Sequence, residues 1–229
     1  IEKLVVATNE NDILARFLAS GRYERSTVVP TTSPSMDIQV ASNFERLLFE
    51  ASSRDSTAVQ RMMGGLKQSG AFTLPETTLS AIRAEFKADR ANEAEVVEAI
   101  RSVKVKSAYV LDPHTATGVA ASESLDLHGI TVTLATAHPA KFPDAVRAAT
   151  GITPPLPAHL ADLYQRTEKF TPMAHDLVAL KSYISVYDRN KEIINYKNTD
   201  MYSIYVLELQ RCGYLKYKIG RASCRERVS

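Results

Sequence analysis

Within one eight-residue string, residues 135–142 (Ala-Thr-Ala-His-Pro-Ala-Lys-Phe), the chain carries a hydroxyl at Thr136, an imidazole at His138 and an amine at Lys141. Such a set invites a hydrogen bond to a cofactor, a proton transfer, or an imine. The string follows a β-branched apolar run, residues 130–134 (Ile-Thr-Val-Thr-Leu). It is therefore expected at the carboxyl end of a strand, the edge where open α/β folds hold their ligands. Thr136 then either faces a cofactor or ends the strand by bonding backbone. His138, followed by Pro139, is expected to fix the strand-to-helix turn rather than to carry a proton.

Other polar residues fall at similar junctions. Thr8, Asn9, Asn11 and Asp12 stand where an apolar run gives way to a helical pattern. There they either face a ligand or cap the helix, and capping by Asn9 or Asn11 is the favoured role. Asp37, after Ser35 and Met36, is a candidate helix start. Asp112-Pro113-His114 reads as a turn that stands behind a site rather than as a reacting pair. Cys212 and Cys224 lack the spacing of a zinc site, so no metal is expected. The adjacent Gly64 and Gly65 lie inside a helical pattern with no preceding strand, which argues against a phosphate-cradling loop.

Elements of both kinds must hold these groups. Residues 3–8 read as a buried strand, and Ile13, Leu14, Phe17 and Leu18 as a helix stopped by Gly21. Residues 22–35, with Pro30 and Pro34, read as an ordered loop containing a short strand at 27–29. Helices are expected at 43–51, 57–68, 77–90 and 93–103. A strand at 108–111 leads into a small-residue helix at 115–122. After the strand at 130–134 come a helix at 143–149, a proline-rich connection at Pro154, Pro155 and Pro157, and helices near 158–166 and 176–184. Strands alternating with helices predict an α/β fold, an incomplete sheet flanked by helices.

The 229 residues, 45% of them hydrophobic, suffice for a sizeable core. No apolar run approaches the roughly 18–20 residues of a membrane helix and no signal-peptide layout is present, so a soluble, cytoplasmic protein without membrane attachment is expected. Ile1 stands directly before a strand without a Met, which suggests that residues before it have been lost. Charge is uneven: nine Lys/Arg and five Asp/Glu follow Ser185, leaving residues 1–184 at −2 within a total of +2. The body therefore gives no reason to expect nucleic acid as a partner. Six of the ten tyrosines also fall after residue 184. Three stretches are expected: a body at 1–184, an unrelated Tyr-rich basic segment at 185–218, and 219–229, which looks like translated sequencing adapter.

Three strings in order, residues 4–18 (LVVATNENDILARFL), 33–50 (SPSMDIQVASNFERLLFE) and 135–146 (ATAHPAKFPDAV), resemble threonine synthase, as do 112–118 (DPHTATG) and the helix DLVALKSYI. The resemblance covers the C-terminal part of that family. It implies a fold-type II pyridoxal-phosphate enzyme that converts O-phosphohomoserine and water to threonine and phosphate, by loss of the γ-phosphate followed by addition of water. It also implies that Thr136 is the hydroxyl residue bonding the pyridine nitrogen and that Ser35, Met36 and Asp37 line the same cleft as residues 8–12, unless Asp37 only starts a helix. A hydroxyl donates to an unprotonated ring nitrogen, which moderates the electron sink. The family's Schiff-base lysine belongs to a Phe-Lys-Asp context upstream, so Lys141 is expected to be a loop cation and no catalytic residue is assigned. Without that lysine and the Gly/Asn-rich phosphate loop, this chain alone is expected to be inactive, to bind the cofactor weakly and to pack loosely.

Two other readings stand beside this one. Residues 214–220 (YLKYKIG) resemble the opening hairpin of GIY-YIG-like nuclease domains, which would make the chain a binding module fused to a nucleic-acid-processing tail. A different fold-type II pyridoxal-phosphate lyase is the other alternative.

Overall fold

The computed structural model describes residues 1–125, 127–168 and 172–190. The chain divides into two compact units, Ile1–Ala161 and Asp162–Ser229. The Tyr-rich segment lies outside the described residues from 191 on, as does the adapter-like string.

The first unit opens with β1 (Leu4–Thr8), followed by α1 (Ile13–Ser20) and β2 (Arg22–Glu24). Ile13, Phe17 and Leu18 recur at helical spacing and turn inward. Gly21 ends α1 with φ +73°, its N–H bonding Phe17 O, and a Cβ there would lie 2.8 Å from Leu79 Cδ2. Only glycine meets both demands without strain.

Next come α2 (Phe44–Ala51) and α3 (Ser56–Ser69), the latter capped by Asp55, which accepts from the backbone of Thr57 and Ala58. β3 (Ala71–Thr73) pairs antiparallel with β2, setting Tyr23 opposite Phe72. Tyr23 stacks on both Phe44 and Phe72 at 5.1 Å, and Phe17 meets Phe44 edge-on. These rings centre the first core, which α4 (Glu76–Glu85) completes through Leu79 and Ile82.

The helix expected to run to residue 90 stops at Glu85. Phe86 turns the chain into β4 (Phe86–Arg90), which pairs in parallel with β1 from Leu4↔Phe86 to Thr8↔Arg90. Phe86 continues the helical spacing of Leu79 and Ile82, but it also alternates with Ala88, and pairing with a distant strand decides between the two periods.

α5 (Glu93–Ser107) begins with a reciprocal capping box between Asn92 and Glu95, and α6 (Pro113–Ser124) with Asp112 as cap and Pro113 in its first turn. Small residues let α6 sit deep against β1, β4 and α5. The second core joins Val96, Ala99 and Ile100 of α5 to Leu111, Ala116 and Ala149. Ala149 belongs to α7 (Pro143–Thr150). In the second unit, α8 (Leu177–Asn190) follows a short 3-10 turn at Leu163–Gln165.

Three expected strands are not strands. At 108–111, Ala108 takes φ +60° and ends α5, and the residues after it join no ladder. At 27–29 the backbone of Val29 bonds the side chain of Asn11 instead of another strand. Residues 130–134 have no pairing partner among the described residues, and Ile130, Val132 and Leu134 are 97%, 78% and 75% exposed. A β-branched run becomes a strand only when a neighbour takes its hydrogen bonds. The helix expected near 158–166 is likewise replaced by two 3-10 turns, Ala158–Leu160 and Leu163–Gln165, after the proline-rich connection.

Candidate functional site

Of the polar residues singled out by sequence, Asn9, Asn11 and Asp37 assemble into one largely buried system beyond the carboxyl end of β1. Asn9, 1% exposed, donates through Nδ2 to Thr31 Oγ1 at 2.8 Å, Ser33 Oγ at 3.0 Å and Asp37 Oδ1 at 2.8 Å. Its Oδ1 accepts from the backbone and side-chain amides of Asn11. Asn11 also donates to Val29 O and Asp37 Oδ1. The Asp37 carboxylate takes further bonds from the Thr31 hydroxyl and amide.

Asn9 and Asn11 therefore do not cap α1, as was favoured. Asp12 holds the cap position, without a side-chain capping bond, and its carboxylate pairs with Arg16 at 2.8 Å and Arg90 at 3.8 Å. The capping role fails because a buried amide gains more from the hydroxyls and carboxylate of residues 31–37 than from one helix N–H. Asp37 likewise starts no helix: it closes the Pro34–Met36 turn. Thr8, also buried, donates to Asp89 O across the β1–β4 pair at 3.4 Å.

A second cluster sits at the start of α6. Asp112 is 1% exposed, and its Oδ1 accepts from His114 N at 2.9 Å, Thr115 N at 3.4 Å and His114 Nδ1 at 3.1 Å. Its Oδ2 accepts from the Thr115 hydroxyl. Burial pushes this carboxyl up, but the hydrogen bonds from His114 and Thr115 outweigh it and hold it below the usual aspartate value. His114 Nε2 accepts from Ser35 N at 3.2 Å, so the ring carries its proton on Nδ1, facing the carboxylate. Phe142 covers the imidazole at 4.5 Å.

Thr136 hangs from this second cluster. Its backbone N–H donates to Thr115 Oγ1 at 3.2 Å, while its side chain is exposed and makes no hydrogen bond among the described residues. Beside it, Thr133 Cγ2 lies 2.9 Å from where a Cβ on Gly118 would stand, so that glycine lets the segment lie close on α6. His138 Nδ1 accepts from Ala140 N at 3.1 Å and so fixes the Pro139–Lys141 turn, the structural role expected of it. Lys141 is exposed, its amine 5.9 Å from the Phe142 ring centroid.

Asn9, Asn11 and Asp37 thus meet, and Thr136 joins them through Thr115, Asp112, His114 and Ser35. Asp12 and His138 lie outside this chain of bonds. Sequence reasoning missed Thr31, Ser33, Gln39 and Thr115. The cluster of hydroxyls in Thr31-Thr32-Ser33 ahead of Pro34 was the available signal for two of them. All buried side-chain nitrogen and oxygen atoms among the described residues have partners. The first cluster therefore stiffens a wall, and the exposed Thr136 hydroxyl is an uncommitted donor.

Residues 115–184 match the family model described as threonine synthase, C-terminal. Over 188 residues the chain is 43% identical to a threonine synthase of Pseudomonas aeruginosa, covering 81% of this chain and 40% of that protein. The solved structure of a PLP-bound threonine synthase from Brucella melitensis superposes with a TM-score of 0.75 and 55% identity, over 82% of this chain and 41% of the other. The yeast threonine synthase structure gives 0.70 and 37%, over 83% and 43%.

Over about four fifths of its length the chain is similar to threonine synthases. It spans about two fifths of the length of the curated relatives it matches. The α/β arrangement described above is that of threonine synthase structures. The exposed, unengaged Thr136 hydroxyl is a neutral donor suited to an aromatic nitrogen. Among the described residues no helix is long and apolar enough to cross a membrane, and no cluster of His, Cys, Asp and Glu could hold a metal ion.

Proposed function

We propose that residues 1–184 form the C-terminal wall of a threonine synthase site that converts O-phosphohomoserine and water to threonine and phosphate. Within this reading Thr136 bonds the pyridine nitrogen of pyridoxal phosphate. The supporting observation is its outward hydroxyl, with the backbone beneath it tied to α6. The family match ends at residue 184, in keeping with a body of that extent and a separate Tyr-rich segment after it. The reading carries a cytoplasmic setting with it.

When bound, the cofactor supplies an electron sink for the substrate carbon. This chain's residues hold and orient. Thr136 donates a neutral hydrogen bond at the ring nitrogen, which leaves that nitrogen unprotonated. Asn9, Asn11 and Asp37 keep the facing wall rigid. His138 sets the turn after Thr136 and moves no proton.

By itself the 229-residue chain is expected to make no threonine and to hold the cofactor weakly, because it has neither the family's Phe-Lys-Asp lysine nor its Gly/Asn-rich loop. The test is a composite enzyme in which residues 1–184 replace the matching segment of the Brucella melitensis protein. It should release phosphate from O-phosphohomoserine with formation of threonine, while the separate chain does not. A folded, cofactor-loaded composite with no turnover would overturn the proposal, and so would turnover by the separate chain.

A further inference from the structure

From the Thr136 amide a line of hydrogen bonds runs to the Ser35 amide with one buried carboxylate in its middle, and the backbone of the Ser33–Asp37 turn carries it on to the Asn9 cluster. Asp112 Oδ2 holds the proton of the Thr115 hydroxyl, which commits that oxygen's lone pair to the Thr136 amide. Asp112 Oδ1 holds the Nδ1 proton of His114, which commits Nε2 to the Ser35 amide. Ser35 belongs to the Pro34–Met36 turn, flanked by Ser33 and Asp37, both bonded to Asn9. Each bond along this path has a fixed sense, and reversing either side-chain bond to Asp112 would face an oxygen or nitrogen lone pair with a carboxylate.

We infer that Asp112, His114 and Thr115 act as one positioning unit, which sets the Thr136 segment and the Ser33–Asp37 turn together and so fixes the spacing between two walls of the site. This rests on the reading of Thr136 as the ring-nitrogen contact. None of the three residues touches the ring. They work through the backbone amides of Thr136 and Ser35, each of which is anchored on a side chain held by Asp112. The Phe142 ring over His114 shields this junction from water, where its bonds are strongest.

The test uses the composite enzyme loaded with pyridoxal phosphate labelled with nitrogen-15 in the ring. Thr136→Val should move the ring-nitrogen resonance. Thr115→Val should move it in the same direction and lower kcat roughly 10- to 100-fold with little change in KM, as displacement of a positioning group by about 1 Å does. Thr115→Ser, which keeps the hydroxyl, should restore both. Hydrogen exchange supplies a readout independent of turnover: Asp112→Asn should speed exchange in peptides covering 31–37 and 130–138 together. If Thr115→Val does not fold, Thr115→Cys keeps the volume with a weaker acceptor and should give the same shift in smaller measure. A shift with Thr136→Val but none with Thr115→Val or Thr115→Cys would overturn the positioning unit and leave the Thr136 contact standing. Faster exchange in only one of the two peptides would likewise break the unit. An unmoved resonance in Thr136→Val would remove the Thr136 reading and this inference with it.

Discussion

Asp112 does two jobs with one carboxylate: it caps α6 and it organises the buried bonds around His114 and Thr115. Asp112→Ala in the composite enzyme removes an acceptor from several buried donors, and a hydrogen bond to a charged group is worth about 1.5–3 kcal/mol. The variant should lose at least that much stability, read as a lowered Tm at neutral pH. Because hydrogen bonds hold the Asp112 pKa below its unfolded value, its contribution is present above the ordinary aspartate range and disappears as pH falls through the lowered folded value. The Tm difference between parent and Asp112→Ala should therefore be constant near neutrality and shrink only below about pH 4. A difference that shrinks instead on the alkaline side would contradict the assignment. At this scale the turn set by His138 was legible from the proline after it. The roles of Asn9 and Asn11 were not legible, since an amide beside a helix start satisfies the capping pattern equally well. Only the fold brings Thr31, Ser33 and Asp37 within its reach.

The element that carries Thr136 is held by shape as well as by bonds. Residues 130–136 lie along α6 with Thr133 Cγ2 pressed to the Cα of Gly118. Alanine in a helix interior ordinarily gains about 1 kcal/mol over glycine. Here Gly118→Ala must push Thr133 away, so the account predicts a loss of kcat and of stability instead. The double variant Gly118→Ala with Thr133→Ser, which removes the crowding methyl, should recover both. Gly118→Ala as a plain stabiliser would contradict the close approach. Helices were the most readable elements: α1, α2 and α5 follow their apolar spacing. The strands were harder. β3 and β2 are three residues each, too short to show alternation, and β4 shares its apolar positions with a helical continuation of α4. The run at 130–134 has strand composition but no pairing partner among the described residues, so composition alone overstated it.

Across the whole chain the two cores differ in kind. The aromatic cluster around Tyr23 is enclosed by α1 to α4, whereas the alanine-rich core of α5, α6 and α7 lies beside the segment where Ile130, Val132 and Leu134 are exposed. Three adjacent apolar side chains in water on an unpaired run favour association. The separate 229-residue chain is therefore expected to melt broadly, with far-UV and near-UV signals that do not coincide. A sharp, coincident transition would contradict that expectation. The likeness to threonine synthases was legible because strings far apart in sequence keep their order. The completeness of the site was not legible from structure alone, since well-satisfied walls look alike whether or not a ligand belongs between them. The most direct measurement is a crystal structure of the composite enzyme with pyridoxal phosphate bound. The account predicts Thr136 Oγ1 at about 2.7–3.2 Å from the ring nitrogen, as a hydrogen bond requires. Thr136 turned away, with another side chain against that nitrogen, would contradict it.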